Sequence, residues 1–235
     1  MSNACQDNII NVCEIDSDFK RVSKMPNNQG KCYLKWEDGS EYMGEFNNKK
    51  MNGYGIYKFS DNTIYEGYFR NGCKHGTGKI EYSNGSVYKG DFLNDMPNGN
   101  GVLICRQNDS KKDVYIGEIT DGIKYGYGKQ YVYENEQYIL EYIGNWKNDK
   151  YNGLGVYYHK NGNKFYEGHF VNGLPQGDGM LYNTKGEKKE SSYYIRGVHQ
   201  ADLTPSRIDR LKKKLNSDIR FPLKHVNQDN LDGES

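Results

Sequence analysis

Apolar and polar residues alternate with a period of two through short runs, and each run ends in a turn signal. In Tyr65-Glu66-Gly67-Tyr68-Phe69, residues 65, 67 and 69 share one face of an extended strand, and Glu66 and Tyr68 point the other way. Asn71-Gly72 follows, a pair that tolerates positive φ and favours a tight hairpin turn. In the next run Gly76, Gly78, Ile80 and Tyr82 share a face against Thr77, Lys79 and Glu81. The pattern predicts a β-hairpin with one apolar, aromatic face and one mostly polar face. The turn signal recurs at Asn84-Gly85, Asn161-Gly162 and Asn172-Gly173, with Asp38-Gly39 as a variant.

The hairpin is a repeat. With Tyr65 as position 0, the unit carries Tyr at 0, Gly at 2, an aromatic at 4, and Gly at 7, 11 and 13. Copies begin at Tyr42, Tyr65, Tyr88, Tyr115, Tyr142 and Tyr166. Departures are Lys49, Asp95 and Asp149 at position 7 and Ile119 at position 4, which touch turn detail and not the fold. Half-repeats flank the array at residues 29–40 and 190–197, as expected where an end unit has one neighbour to match. Glycine weakens a strand, so Gly67 and Gly78 need a reason. The expected one is a neighbouring Tyr or Phe ring lying across the bare backbone. Two connections, around residues 105–113 and 134–137, are longer than the unit and replace the same turn, so both should protrude from one edge.

The signature Tyr-x-Gly-x-aromatic-x-x-Gly-x-x-x-Gly-x-Gly, repeated in phase across residues 29–197, resembles the MORN (membrane occupation and recognition nexus) repeat family. The resemblance implies a curved, trough-like sheet with aromatics along it. The fold class expected is therefore all-β: an elongated single-layer curved antiparallel sheet of repeated β-hairpins, with one short C-terminal helix. The organisation expected is a polar N-terminal arm (1–18), the repeat domain (19–197), and a basic amphipathic helix and tail (198–235). The arm either moves freely or lays a strand over the first sheet edge, which needs protection against other chains.

Composition sharpens this picture. Mean hydropathy is −0.98, and 22 tyrosines and 28 glycines take over from scarce aliphatics. Disordered chains are poor in aromatics, so tyrosine carries the apolar work of a thin, turn-rich structure. The five cysteines are odd in number and lack a C-x-x-C pair. With no signal-peptide pattern at the start, reduced thiols and a cytoplasmic location are expected. Net charge is +1, and no nucleic-acid partner is expected.

The C-terminal stretch differs. Thr204 suits an N-cap and Pro205 the first helical position. Ile208, Leu211, Leu215 and Ile219 follow at helical spacing, and Pro222 ends the run. Arg207, Arg210, Lys212, Lys213 and Lys214 make this stretch basic, and two readings compete. It touches an acidic phospholipid or acidic partner, or its apolar stripe closes the last repeat while its charges stay solvated.

No enzymatic constellation appears. The histidines are isolated, the Gly-x-Gly strings lack a following helix, and no nucleophile elbow or metal-ligand spacing occurs. No cofactor, no metal and no catalysis are expected. The expected function is a protein-binding scaffold or adaptor that links a partner to membrane, cortex or cytoskeleton. Its groove is lined by Tyr42, Tyr65, Tyr88, Tyr115, Tyr142 and Tyr166, with Tyr57, Phe59, Tyr82 and Tyr157 on adjacent strands. The guest expected is an extended segment or an amphipathic helix. The bland alternative is that these aromatics are the core of a thin protein. Phospholipid binding through the basic helix is the runner-up function. A homodimer through the sheet ends or the C-terminal helix is a further arrangement the pattern allows.

Overall fold

A computed structural model describes residues 9–11 and 29–199. They form one sixteen-stranded sheet in which every strand pairs with its sequence neighbours, β1 through β16 in order. The first four strands are β1 (Ile9–Asn11), β2 (Gln29–Trp36), β3 (Glu41–Asn47) and β4 (Lys50–Lys58). Next come β5 (Ile64–Arg70), β6 (Cys73–Glu81), β7 (Val87–Leu93) and β8 (Met96–Arg106). The longer units give β9 (Lys112–Thr120), β10 (Ile123–Glu134), β11 (Gln137–Lys147) and β12 (Lys150–Tyr158). The array closes with β13 (Lys164–Val171), β14 (Leu174–Tyr182), β15 (Lys188–Ile195) and β16 (Val198–His199). All pairings are antiparallel, as an unbroken chain of hairpins requires. The short β1 covers part of the first edge, against Lys35 and Trp36. The helix expected after Thr204 lies outside the described residues.

Each hairpin turns through two residues with positive φ at positions 6 and 7. Asn71 and Gly72 adopt 54° and 91°, and Asn148 and Asp149 adopt 52° and 61°. Lys49, Asp95 and Asp149 thus hold the conformation that glycine holds elsewhere. The aspartates gain something in return. Asp95 Oδ1 accepts from the Lys74 amide at 2.8 Å, and Asp149 Oδ1 from the Lys124 amide at 2.9 Å. The backbone N–H at position 7 donates to the position-9 carbonyl of the preceding unit, as in Gly72 N to Met51 O at 2.8 Å and Gly173 N to Tyr151 O at 2.8 Å. Each turn therefore docks on the unit before it, which makes position 7 the joint between repeats.

Position 11 has a separate duty. The register slips between Gly67/Gly78 and Phe69/Lys74, so the second strand bulges there. Gly76 at the bulge has φ +73°, and Gly53 and Gly99 in the same place have +99° and +116°. A side chain would be strained at that φ.

The long connections resolve differently from one another. Residues 107–111 form a true loop between β8 and β9. The second insertion extends the ladder instead: β10 and β11 pair out to Glu134 and Gln137, closed by Asn135 and Glu136 at φ 52° and 62°. Both connections lead from an even to an odd strand, so both lie on one edge of the sheet.

Candidate partner-binding surface

The six tyrosines expected to line an open groove are the most buried large side chains described. Tyr42, Tyr65 and Tyr142 have 0% exposure and Tyr88, Tyr115 and Tyr166 have 1%. This corrects the groove reading for these six, and the cause is local. Each phenol lies down along its own strand instead of standing off it. The Tyr65 hydroxyl donates to the Tyr68 carbonyl at 2.8 Å, and the same bond recurs from Tyr42 to Glu45 at 2.6 Å and from Tyr142 to Asn145 at 2.9 Å. The ring covers the cross-strand glycine pair. A Cβ on Gly78 would stand 2.5 Å from Tyr65 Oη and 2.7 Å from its Cε2, and one on Gly67 would stand 2.6 Å from the Gly78 Cα. The ring over bare backbone expected from sequence is there, supplied by the tyrosine two residues earlier on the same strand.

The position-4 aromatics lock these rings from the side. Tyr65 meets Phe69 at 5.1 Å and Phe92 of the next unit at 5.0 Å, both edge-on. Tyr142 likewise meets Trp146 at 5.4 Å and Phe170 at 5.2 Å. Edge-to-face pairs at this separation add attraction beyond area burial. One continuous ladder of tyrosine and position-4 side chains therefore runs along the sheet as its core. Position-9 side chains close over it: Lys74 Nζ is 5.8 Å from the Tyr65 ring centre, Lys124 Nζ is 5.0 Å from Tyr115, and Tyr151 stacks on Tyr142 at 3.9 Å. Burial pushes the phenols up: Tyr88 and Tyr166 reach about 12, and Tyr65 and Tyr142 rise further.

The other expected groove residues are less enclosed. Tyr57 is buried, Phe59 and Tyr157 are half-buried against the core, and Tyr82 is 37% exposed. Trp36, which the sequence reading did not single out, joins them 5.4 Å from Tyr57. It stands 23 residues before Phe59, as Phe59 stands before Tyr82, and that spacing was the available signal. Glu141 was also missed. It is an unpaired bulge residue between Leu140 and Tyr142, which turns its carboxylate onto the tyrosine face. There it accepts from Tyr157 Oη at 3.1 Å and Tyr151 Oη at 3.3 Å. Glu141, Lys124, Gln130, Trp146 and Tyr151 border an open depression of 310 Å³. Burial pulls the Lys124 ammonium below the usual lysine range, and its Nζ donates to Gln130 at 2.8 Å.

The opposite face departs from the mostly polar expectation. Around β5–β7 it is charged, with Glu66, Lys79 and Lys89 in one cross-strand row. From β7 to β12 it is aliphatic. One row pairs Val87, Ile104, Val114, Tyr131 and Leu140 in succession. The adjacent row runs Val102, Ile116, Lys129, Ile143 and Val156. Within this field Ile116 is 44%, Tyr127 44% and Leu154 54% exposed. Single exposed apolar residues are ordinary, but a contiguous set marks a contact surface. Tyr54 and Tyr68, ring centres 5.5 Å apart, form a smaller exposed pair on the same face.

Among the described residues no cluster of His, Cys, Asp and Glu could hold a metal ion. Cys32 and Cys105 are free thiols, and burial raises Cys32 to about 12, far from a reactive thiolate. Arg207, Arg210, Lys212, Lys213 and Lys214 lie outside the described residues.

A search of curated proteins finds no match to this chain. The family model described as MORN repeat matches residues 42–64, 65–87, 88–110, 142–164 and 166–188. The stretch it passes over, 111–141, is the unit with the extended ladder and Ile119 at position 4. That unit is nonetheless built alike, since Tyr115 is 1% exposed and donates to the Glu118 carbonyl at 2.7 Å. With five matched copies and the same tyrosine-over-glycine geometry in every full unit, the chain belongs to the MORN repeat family, whose repeats are generally modules for association with membranes or proteins.

Proposed function

We propose that this chain is a non-catalytic scaffold that holds a protein partner, with an apolar segment of that partner lying on the aliphatic field opposite the tyrosine ladder. The observation that carries this reading is the exposure of Ile116, Tyr127 and Leu154 within one field of β-branched side chains. A sheet face of that kind gains from being covered. The ladder itself is already covered by its own repeats, so it has little left to offer. A role in tethering the partner at a membrane, the cortex or the cytoskeleton extends this reading. No helix among the described residues is long and apolar enough to cross a membrane, which fits a peripheral attachment. Phospholipid contact through Arg207, Arg210 and Lys212–Lys214 is the competing proposal, and its support is the charge of that stretch alone.

Affinity capture from a lysate of the source cells tests the reading. Three full-length variants are compared with the wild type after each is shown to be folded. They are Ile116→Lys/Leu154→Lys on the field, Phe59→Ser/Tyr82→Ser on the tyrosine face, and Lys212→Glu/Lys213→Glu/Lys214→Glu in the tail. The expected result is a protein whose recovery falls roughly tenfold with the field variant alone, as loss of about 1.4 kcal/mol implies. Loss with the tyrosine-face variant alone would move the site to that face. Loss of lipid with the tail variant, and of nothing else, would favour the phospholipid proposal.

A further inference from the structure

Two lysines stand in the aliphatic field without a counter-charge. The row of Val102, Ile116, Lys129, Ile143 and Val156 begins one strand earlier, with Lys89 opposite Val102. Lys129 lies between Ile116 on β9 and Ile143 on β11, and both lysines are exposed. Elsewhere on the sheet lysines meet carboxylates: Lys35 pairs with Glu41, Lys79 with Glu81 and Lys164 with Glu167. Lys89 and Lys129 have no such partner among the described residues. The carboxylates beside them in the sheet are committed elsewhere. Asp91, two residues after Lys89, accepts from the Asn100 amide at 3.3 Å, and Glu118, two after Ile116, accepts from the Tyr127 amide at 2.9 Å. Both are spent on holding a strand bulge.

An ammonium in water needs no counter-ion, but a covered one does. Under a purely apolar cover Lys129 would lose its water and gain nothing, a cost that buried charges escape only by pairing. It sits mid-row, so a segment that covers Ile116 and Ile143 covers it too. We propose that the segment held on this field is an extended stretch of a protein partner with two carboxylates four residues apart and apolar side chains on the same face, the carboxylates seated on Lys89 and Lys129. This rests on the field being the partner site and names the chemistry it takes. The spacing selects the extended form. Lys89 on β7 and Lys129 on β10 are three strands apart, about 14 Å at the usual strand separation. Residues i and i+4 of an extended chain share a face about 13–14 Å apart. On a helix the same-face positions i+4, i+7 and i+11 fall about 6, 10 and 16 Å away, and none matches. Residue i+2 then lies over Val102 and Ile116, so the motif is acidic-x-apolar-x-acidic. The two charge pairs fix register along a field whose aliphatic rows are otherwise alike.

Phage-displayed peptides of random sequence, selected on the full wild-type chain, test this. The enriched peptides should carry Asp or Glu at i and i+4 with an apolar residue at i+2. Made as free peptides, they should bind Lys129→Glu at least about thirtyfold more weakly than the wild type. Replacing the matching peptide carboxylate with lysine should restore binding to Lys129→Glu, a charge swap that a damaged fold would not reproduce. Peptides that need Ile116 and Leu154 yet bind Lys129→Glu as well as the wild type would overturn the proposal and leave the field as the partner site. Peptides indifferent to Ile116→Lys/Leu154→Lys would overturn both, and a selection that enriches no such motif overturns the proposal. Field-dependent self-association of the wild type in sedimentation would give the field to a second copy. Lys129-dependent pelleting with phosphatidylserine vesicles would give it to a membrane. Either result overturns the proposal equally.

Discussion

Replacing Tyr65 with alanine is expected to cost about 3–5 kcal/mol, while replacing Tyr68, three residues along the same strand, should cost no more than about 0.5 kcal/mol. The residue type and the strand are the same, so the difference isolates packing. Tyr65 is fully enclosed between Phe69 and Phe92 and spends its hydroxyl on a backbone carbonyl. Its loss opens a ring-sized void above two glycines that have no side chains with which to fill it. Tyr68 faces solvent and touches Tyr54. Because stability in a repeat array is close to a sum of units and their interfaces, loss at Tyr65 also uncouples the units on either side. Chemical denaturation followed by circular dichroism measures both. A broadened transition for Tyr65→Ala, with a sharp one retained for Tyr68→Ala, is the expected pattern.

The second large effect is at the glycines beneath the ring. Gly78→Ala adds one methyl, placed 2.5–2.7 Å from three atoms of the Tyr65 side chain. Two of those atoms belong to the aromatic ring and the third is hydrogen-bonded, so none can yield as a flexible chain end would. Lifting the ring would break its bond to the Tyr68 carbonyl and press it against Phe92. Overpacking of this kind costs about 1–3 kcal/mol, and valine should cost more. Gly72→Ala meets nothing within 4 Å, but its φ of +91° makes it strained for a different reason. The two glycines serve different parts of the hairpin, and thermal denaturation of both variants measures the two penalties.

The regular Tyr and Gly spacing was enough to read the hairpins, their turns and the single sheet, because those features follow from period and turn chemistry. Which way a tyrosine ring leans does not. Alternation places Tyr65 on the same face as Gly67, but only the hydrogen bond to the carbonyl of residue 68 lays it flat. A hint was present at the worn end. There Glu190 stands at position 0, and Ser192, not glycine, stands at position 2: where no ring needs the space, no glycine is kept. The bulges were equally visible in the arithmetic. The last two intervals are one residue longer than 23, and the added residues are Phe165 and Lys189, which the ladder leaves unpaired. The aliphatic field was hidden by generalising from residues 65–82, whose outward side chains are polar, to units whose outward chains are Val and Ile.

The same physics separates what the two faces do. The tyrosine face is self-satisfied, ring on glycine and ring on ring, and it holds the array together. The opposite face makes no such demand on the backbone, so its composition is free to vary along the array, from the charged row at β5–β7 to the aliphatic rows that run on to β12. A module that varies one face while conserving the packing of the other can take a partner without unbuilding its own core.

The most direct test of this account is the coupling between Tyr65 and Gly78 in a double-mutant cycle of Tyr65→Ala, Gly78→Ala and the pair. If the ring lies on the glycine, Gly78→Ala should be damaging in the wild type and close to neutral once the ring is gone, a coupling of about 1–3 kcal/mol. If the two changes add within about 0.5 kcal/mol, the ring does not rest there, and the tyrosines would again be available as the lining of an open groove.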